Sequence, residues 1–302
     1  MNLAERLAGC IIGGAIGDAW GSAYEGLNLI TDAKTFYLVK PTPSIPEWAF
    51  TDDTQLTLIT LEALLQTEKL PPGQLAAAFV KFYKRGMLTG LGASTLLALK
   101  QLEAGAHWSM AGRDGEFGAG NGAAMRIAPF AFWNSYSKND LRDFCRITHR
   151  NEEAYVGALA VVLSLKQVIE GNWRGDGSLF SSIIPQLPDT RVRDRLIELA
   201  NLPADTSIAA AASFGTSGYV VDSVPFAIFC ASQVRNTGLK GMYESIIRSG
   251  GDVDTNASIA GQLAGAFAGE AGIDSALKCK LYELKGAEWL QNVIESARQH
   301  LA

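Results

Sequence analysis

Residues 250–269 read Gly250-Gly251-Asp252-Val253-Asp254-Thr255-Asn256-Ala257-Ser258-Ile259-Ala260-Gly261-Gln262-Leu263-Ala264-Gly265-Ala266-Phe267-Ala268-Gly269. Two glycines and two acids open a low-charge helical run. Within it Gly261, Gly265 and Gly269 recur every four residues and leave one helix face smooth. Each glycine inside a helix costs roughly 0.8 to 1 kcal/mol relative to alanine, so something must compensate. Close approach to another helix axis does so, and Gly9, Gly13 and Gly17 repeat the same interval near the N-terminus. The stretch from Thr255 to Gly269 also contains Gln262 and falls short of the ~18 to 20 residues needed to span a bilayer.

Working outward, apolar residues keep helical spacing at Leu3, Leu7 and Ile11, at Leu56, Ile59 and Leu64, at Leu96, Leu99 and Leu102, and at Tyr155, Leu159, Val162 and Leu165. Candidate strands are few and short, such as Phe36 to Val39, and ten prolines give no hairpin rhythm. All-β and alternating βα architectures are disfavoured. Gly, Pro, Asp and Ser cluster from Gly171 to Asp205, around Gly171-Asn172-Trp173-Arg174-Gly175 and Leu187-Pro188-Asp189. This interval reads as a loop-rich excursion from one domain over 1–302, because motifs on both sides need each other.

The chain has 302 residues, with 48% hydrophobic and 19% charged, a balance that supports a packed core and excludes disorder as the main state. Its 26 Lys+Arg against 31 Asp+Glu give a net charge of -5, and no basic run marks a binding surface for nucleic acid or anionic lipid. Cys10, Cys145, Cys230 and Cys279 include no C-x-x-C pair and read as buried thiols in a reducing compartment. Leu7-Ala8-Gly9-Cys10 looks like a lipoprotein cleavage box, but Glu5 and Arg6 leave no apolar region ahead of it. A soluble cytoplasmic protein is expected.

Two acidic clusters carry the chemistry: Thr51-Asp52-Asp53-Thr54 and Gly251-Asp252-Val253-Asp254-Thr255. Each opens an apolar helix, where one side-chain oxygen can cap a free backbone N–H. Each supplies two carboxylates plus hydroxyls, more than a cap needs, although the extra acids could be solvated. If the clusters met, each like-charge pair at ~4 Å would cost on the order of 4 kcal/mol at an effective dielectric of 20. A cation would make that arrangement stable. Hard oxygen ligands select Mg²⁺, Mn²⁺ or Ca²⁺, and His107, His149 and His300 are too dispersed for a histidine-rich zinc site. The spacing fits two metals sharing carboxylates, which could lower the pKa of a water, and this is a hydrolase hypothesis.

Three further segments are candidates. Gly13 through Glu25 is glycine-rich, but no strand precedes it, so a dinucleotide fingerprint is a poor reading. Glu25 could join the metal site, transfer a proton, or simply be solvated. Gly118-Ala119-Gly120-Asn121-Gly122-Ala123-Ala124-Met125-Arg126 and Gly215-Thr216-Ser217-Gly218-Tyr219 could turn backbone N–H groups toward phosphate oxygens or be ordinary turns. His149 is structural or bonds a sugar hydroxyl.

In this order the motifs resemble the ADP-ribosylglycohydrolase family. The resemblance rests on Gly17-Asp18-Ala19 through Glu25, the T-D-D-T run, Gly120-Asn121-Gly122 through Met125-Arg126, Thr148-His149, Gly218-Tyr219 and the G-D-x-D-T run. It implies an all-α, compact, single-domain orthogonal helix bundle whose central cleft holds two Mg²⁺ ions, with Mn²⁺ a possible substitute. It implies Thr51, Asp52, Asp53, Asp252, Asp254 and Thr255 as metal ligands, and Asp53 or Glu25 as the group that moves a proton. It also implies substrate contacts at Glu25, Gly92, Gly118, Gly120, Asn121, Gly122, Met125, His149, Ser217 and Gly218, with Tyr219 toward the adenosine side. Val253 departs from the threonine common in the family and is expected to point away from the metals. The implied reaction releases ADP-ribose from a modified protein or small molecule. The alternatives are a metal-dependent hydrolase of another nucleotide or phosphate ester, and a non-catalytic relative. The second would be expected to have lost ligands, and all six positions keep their oxygens.

Overall fold

The computed structural model describes residues 1–26 and 47–301. Among the described residues the fold is all-α, with no strand longer than an isolated bridge. The candidate strand at Phe36–Val39 lies outside the described residues. The helices are α1 (Leu3–Ser22), α2 (Asp52–Leu65), α3 (Pro72–Lys84), α4 (Ala93–Glu103), α5 (Trp108–Ala111), α6 (Lys138–Arg146), α7 (Glu152–Ile169) and α8 (Ser178–Ile183). They continue with α9 (Arg191–Ala200), α10 (Ile208–Ala211), α11 (Val220–Ser232), α12 (Val234–Ser249), α13 (Val253–Ala268), α14 (Ser275–Tyr282) and α15 (Ala287–Leu301). The four helically spaced apolar sets fall in α1, α2, α4 and α7. None of these helices is long and apolar enough to cross a membrane.

The spine is the antiparallel pair α1 and α13, both buried over nearly all their faces. Gly9 faces Gly265, Gly13 faces Gly261, and Gly17 faces Ala257, so that a Cβ on any of these three α1 glycines would run into a carbonyl oxygen of α13. The two glycine ridges therefore meet each other. At the end of the ridge a Cβ on Gly21 would lie 2.5 Å from the Cα of Asp254. Packing that compensates for the glycines thus also brings the acidic end of α13 against the end of α1. Tyr243 of α12 locks the pair, its buried hydroxyl donating to the Gly13 carbonyl at 2.8 Å.

Residues 171–205, read above as loop-rich, contain α8 and α9. Thr190 caps α9, whose Val192, Leu196 and Leu199 are spaced to form one buried face. The charges between them and the flanking prolines hide that face in the composition. Cys279 differs from the other three cysteines: it is exposed on α14, whereas Cys10, Cys145 and Cys230 are buried free thiols.

Candidate functional site

Asp18 lies about one turn before the C-terminal end of α1 and is fully buried. Its carboxylate accepts from the backbone N–H of Thr51 at 3.0 Å, the N–H of Thr54 at 3.1 Å and the Thr51 hydroxyl at 2.6 Å. Asp18 is therefore an external cap for the first turn of α2, where free N–H groups and the helix dipole favour an anion. Thr51 itself is the N-cap residue, accepting from the Asp53 N–H at 3.3 Å. With capping done by Asp18 and Thr51, the side chains of Asp52 and Asp53 are free for another purpose.

The opposite end is built differently. Gly250 and Gly251 have φ of 69° and 83°, left-handed values that favour glycine, and a Cβ on Gly251 would strike Thr216. This turn presents Asp252, whose N–H donates to the Thr216 carbonyl at 2.9 Å. Asp252 occupies the N-cap position of α13, yet its side chain caps nothing. It accepts instead from Asn121 Nδ2 at 2.7 Å. Val253 is buried and does not line the cleft.

The two acidic clusters meet. The Thr255 hydroxyl donates to Asp53 Oδ2 at 3.1 Å. One carboxylate oxygen from each of Asp18, Asp53 and Asp254 lies within 4.8 Å of the others, and Glu25, Asp252 and Asp254 form a second such group. Asp254 is common to both. Asp52 lines the same cleft without joining either trio.

Gathering these acids away from water raises their pKa values. Burial, then the charges of Asp18, Asp254, Asp52 and Asp252, push the Asp53 carboxyl well above the usual carboxylate range. Asp254 is pushed up to about 10 by burial, by its hydrogen bond with Asp252, and by the charges of Asp252, Glu25 and Asp18. Asp52 rises through burial and Asp18. Asp18 rises through burial, against the opposing bonds from Thr51 and Thr54. Glu25, at the exposed edge, rises through partial burial and then Asp252.

Asp53 Oδ1 is buried without a hydrogen-bond partner in the protein. An anionic oxygen in that position is costly unless a hydrogen-bond donor meets it, and the carboxylates gathered around it are costly unless a cation does. An all-oxygen donor set of carboxylates and threonine hydroxyls matches a hard divalent ion. The residues present therefore fit Mg²⁺ or Mn²⁺.

These acids line a cleft of about 580 Å³ together with two small-residue loops. The Gly118–Gly122 loop is tied to the 215–219 loop: Asn121 N–H donates to the Gly218 carbonyl at 3.2 Å and Val220 N–H to the Ala119 carbonyl at 2.9 Å. Gly120, Asn121, Gly122, Met125, Ser217 and Gly218 all line the cleft, as do Gly92 and Glu25. The Met125 carbonyl is held from behind by Thr57 Oγ1 at 3.2 Å and Gln262 Nε2 at 2.7 Å.

His149 also lines the cleft and is 3% exposed. Gly120 and Gly122 flank its ring, a Cβ at Gly122 reaching 2.9 Å from Cε1. Burial, then the positive charges of Arg126 and Arg113, push its pKa down to about 3, so the imidazole is neutral near pH 7. Thr148 Oγ1 accepts from buried Arg126 at 2.9 Å and lies 2.9 Å from His149 Nδ1. That contact holds the ring by its Nδ1 edge and leaves Nε2 beside Gly120 and Gly122, where an added Cβ would lie 3.1 and 3.4 Å from it.

Three expected residues do not line the cleft. Thr51 sits behind it against Asp18, Gly118 packs against Arg113, and Tyr219 is the half-buried N-cap of α11. Asp18 belongs to the Gly17-Asp18-Ala19 motif but is not among the expected site residues; its bonds to Thr51 and Thr54 make it the organiser of the first turn of α2. Gly90, Ser94 and Thr95 line the cleft as well and carry no distinguishing motif. Gln55 places that wall by bonding Thr89 twice, Nε2 donating to Oγ1 and Oε1 accepting from the N–H, each at 2.8 Å.

Comparison with known proteins adds lineage to this geometry. The ADP-ribosylglycohydrolase family model matches residues 1–302. ADP-ribosylhydrolase ARH3 of Bos taurus is 26% identical over 317 residues, covering 88% of this chain and 85% of the relative. ADP-ribosylarginine hydrolase Tri1 of Pseudomonas putida is 26% identical over 290 residues, covering 89% and 72%. A solved structure described as an ADP-ribosylglycohydrolase-related protein complex superposes with a TM-score of 0.76 at 25% identity, covering 100% of this chain and 99% of that one.

Proposed function

The chain belongs to the ADP-ribosylglycohydrolase family, and from that premise we propose that it hydrolyses the glycosidic bond between ADP-ribose and an acceptor in a Mg²⁺-dependent reaction. The observation that carries this reading is the meeting of the two acidic clusters, which brings carboxylate oxygens of Asp18, Asp53 and Asp254, and of Glu25, Asp252 and Asp254, within 4.8 Å of one another. We assign Asp52 and Asp53 at the start of α2, with Asp252, Asp254 and Thr255 at the start of α13, to hold two Mg²⁺ ions, for which Mn²⁺ can substitute; Thr51, its hydroxyl committed to Asp18 behind the cleft, supports them instead of binding an ion. When bound, the ions supply positive charge that orients ribose hydroxyls and lowers the pKa of a nearby water.

The chain's own residues do the rest. The backbone of Gly92, Gly120 and Gly122 lines the cleft where N–H groups can meet the pyrophosphate without side-chain obstruction; Gly118, whose N–H is spent on the Gly115 carbonyl, supports that loop from behind. His149 offers Nε2 for a hydrogen bond to a ligand sugar hydroxyl, while Met125, Ser217 and Gly218 shape the wall. Asn121 steadies Asp252. Water adds to the anomeric carbon as the bond to the acceptor heteroatom breaks. Asp53 or Glu25 takes the water's proton and passes it to the acceptor heteroatom as that group leaves, so the carboxylate ends as it began. Positioning is the main contribution expected of such a pre-built cleft. The whole-chain family match supports treating residues 1–302 as one domain.

The direct test is to incubate the protein and Mg²⁺ with arginine-linked and serine-linked ADP-ribosylated peptides and to follow free ADP-ribose. Release from at least one linkage is expected. Cleavage at a phosphate instead would reassign the site to phosphate-ester chemistry.

A further inference from the structure

Behind Asp53, on the side away from the open cleft, lies a second and much smaller cavity. It is lined by Ile11, Gly14, Ala15, Asp53, Thr54, Thr57, Ser258 and Gln262, and it has room of about 10 Å³ for a water-sized sphere, about the space one water needs. All of these residues are buried. Four of them carry a buried side-chain oxygen with no hydrogen-bond partner in the protein: Asp53 Oδ1, Thr54 Oγ1, Ser258 Oγ and Gln262 Oε1. Buried polar groups left unpaired each cost about 1 to 3 kcal/mol, so four around one cavity point to a shared partner.

The chemistry of the four oxygens fits a water without remainder. The Gln262 amide is oriented by its Nε2 bond to the Met125 carbonyl at 2.7 Å, which leaves Oε1 as a pure acceptor. Asp53 Oδ1 is the second acceptor when ionised, and the hydroxyls of Thr54 and Ser258 are the two donors. One water can donate twice and accept twice. Gly14 is required here for space, since a Cβ would lie 2.6 Å from Gln262 Cγ.

We propose that this cavity binds one ordered water, which donates to Asp53 Oδ1 and Gln262 Oε1, accepts from Thr54 and Ser258, and so fixes the Asp53 carboxylate from behind. Thr54, Ser258 and Gln262 are then positioning residues acting through that water. The junction also joins α1, α2 and α13 to Met125 on the cleft wall. The consequence for cation binding rests on the metal reading above; the water site itself does not.

The test compares crystal structures of the wild type, Thr54→Val, Thr54→Ser and Ser258→Ala, with Mg²⁺ affinity measured calorimetrically on the same proteins. In the wild type a peak is expected at hydrogen-bonding distance from all four oxygens. Thr54→Val and Ser258→Ala should lose or displace it, turn the Asp53 carboxylate, and weaken Mg²⁺ binding by roughly tenfold or more, as loss of a supporting shell does. Thr54→Ser keeps the hydroxyl and should keep both water and affinity. An empty cavity, or a peak at ion–ligand distances, would overturn the proposal. So would an Asp53 carboxylate unmoved in Thr54→Val. A wild type that holds the water but binds no divalent cation would defeat the metal reading alone.

Discussion

Thr255 on α13 donates its hydroxyl to Asp53 on α2 at 3.1 Å, although 202 residues of chain separate them. The bond joins the first turns of two helices whose starts would otherwise repel, since each brings two acids. It is the shortest statement of how the cleft floor is assembled.

Removing either shared acid should separate chemistry from folding. Asp53→Ala and Asp254→Ala are expected to give folded proteins whose ADP-ribose release falls at least ~100-fold in excess Mg²⁺. Circular dichroism checks the fold and single-turnover assays the rate. Near-wild-type turnover in either variant contradicts the assignment.

Chelation should abolish release, and Mg²⁺ or Mn²⁺ should restore it. Thermodynamic linkage predicts about 2.7 kcal/mol of added stability at a Mg²⁺ concentration 100 times Kd. Asp254→Asn should lose nearly all of that gain. Full activity in a sample shown by elemental measurement to be metal-free would defeat the cofactor assignment.

The stability of the metal-free protein should fall as pH rises. Asp254 holds its proton up to about pH 10 when folded, against about 3.9 for an unfolded aspartate. A group raised in this way contributes its full stability below about pH 3.9 and loses it as pH climbs through 10. Divalent ions compete with that proton, so their protective effect should grow over the same window. Urea melts at pH 5, 7 and 9, with chelator or Mg²⁺, measure both trends. A chelated protein more stable at pH 9 than at pH 5 would contradict this account.

The glycine ridge should tolerate almost nothing. Gly13→Ala and Gly17→Ala place a methyl against opposing backbone, where overpacking costs about 1 to 3 kcal/mol or more. Tyr243→Phe, which removes only the bond to the Gly13 carbonyl, should cost about 1 kcal/mol. Denaturant midpoints rank the three, and an alanine variant less harmful than Tyr243→Phe would show that the ridge is not tight.

His149→Ala should weaken ADP-ribose binding by roughly three- to tenfold, the worth of one hydrogen bond, and leave Mg²⁺ affinity unchanged. Calorimetry with each ligand distinguishes this from a general loss of structure. Weakened Mg²⁺ binding in this variant would place the imidazole in a different role.

What could be read directly from the chain were features whose cause is local. Four-residue glycine spacing marks helices that must approach closely, and acids in excess of capping need mark Asp52, Asp53, Asp252 and Asp254. Asp18 was not legible because its partners, the N–H groups of Thr51 and Thr54, lie 33 and 36 residues away. Thr51 could be recognised as part of a motif, but not as a residue facing Asp18 behind the cleft. Helix α9 was obscured because Arg191, Arg193, Asp194 and Arg195 surround the few apolar residues of its buried face. Gly118 and Tyr219 belong to loops that do line the cleft, yet each stands at a loop end, Gly118 packed on the Arg113 carbonyl and Tyr219 at the start of α11, and neither position shows this in its residue type.

The pairing of α1 with α13 also sets a schedule for synthesis. Helix α1 ends at Ser22 and α13 begins at Val253, so at ~5 to 20 residues per second the first helix waits roughly ten to fifty seconds for its partner. Until then its smooth face and buried Asp18 lack the surfaces that cover them, and the nascent chain carries an unfinished half of its acidic cleft. Ribosome-bound intermediates should therefore be inert and open to chaperones, with activity arising only once translation has passed the last ridge glycine.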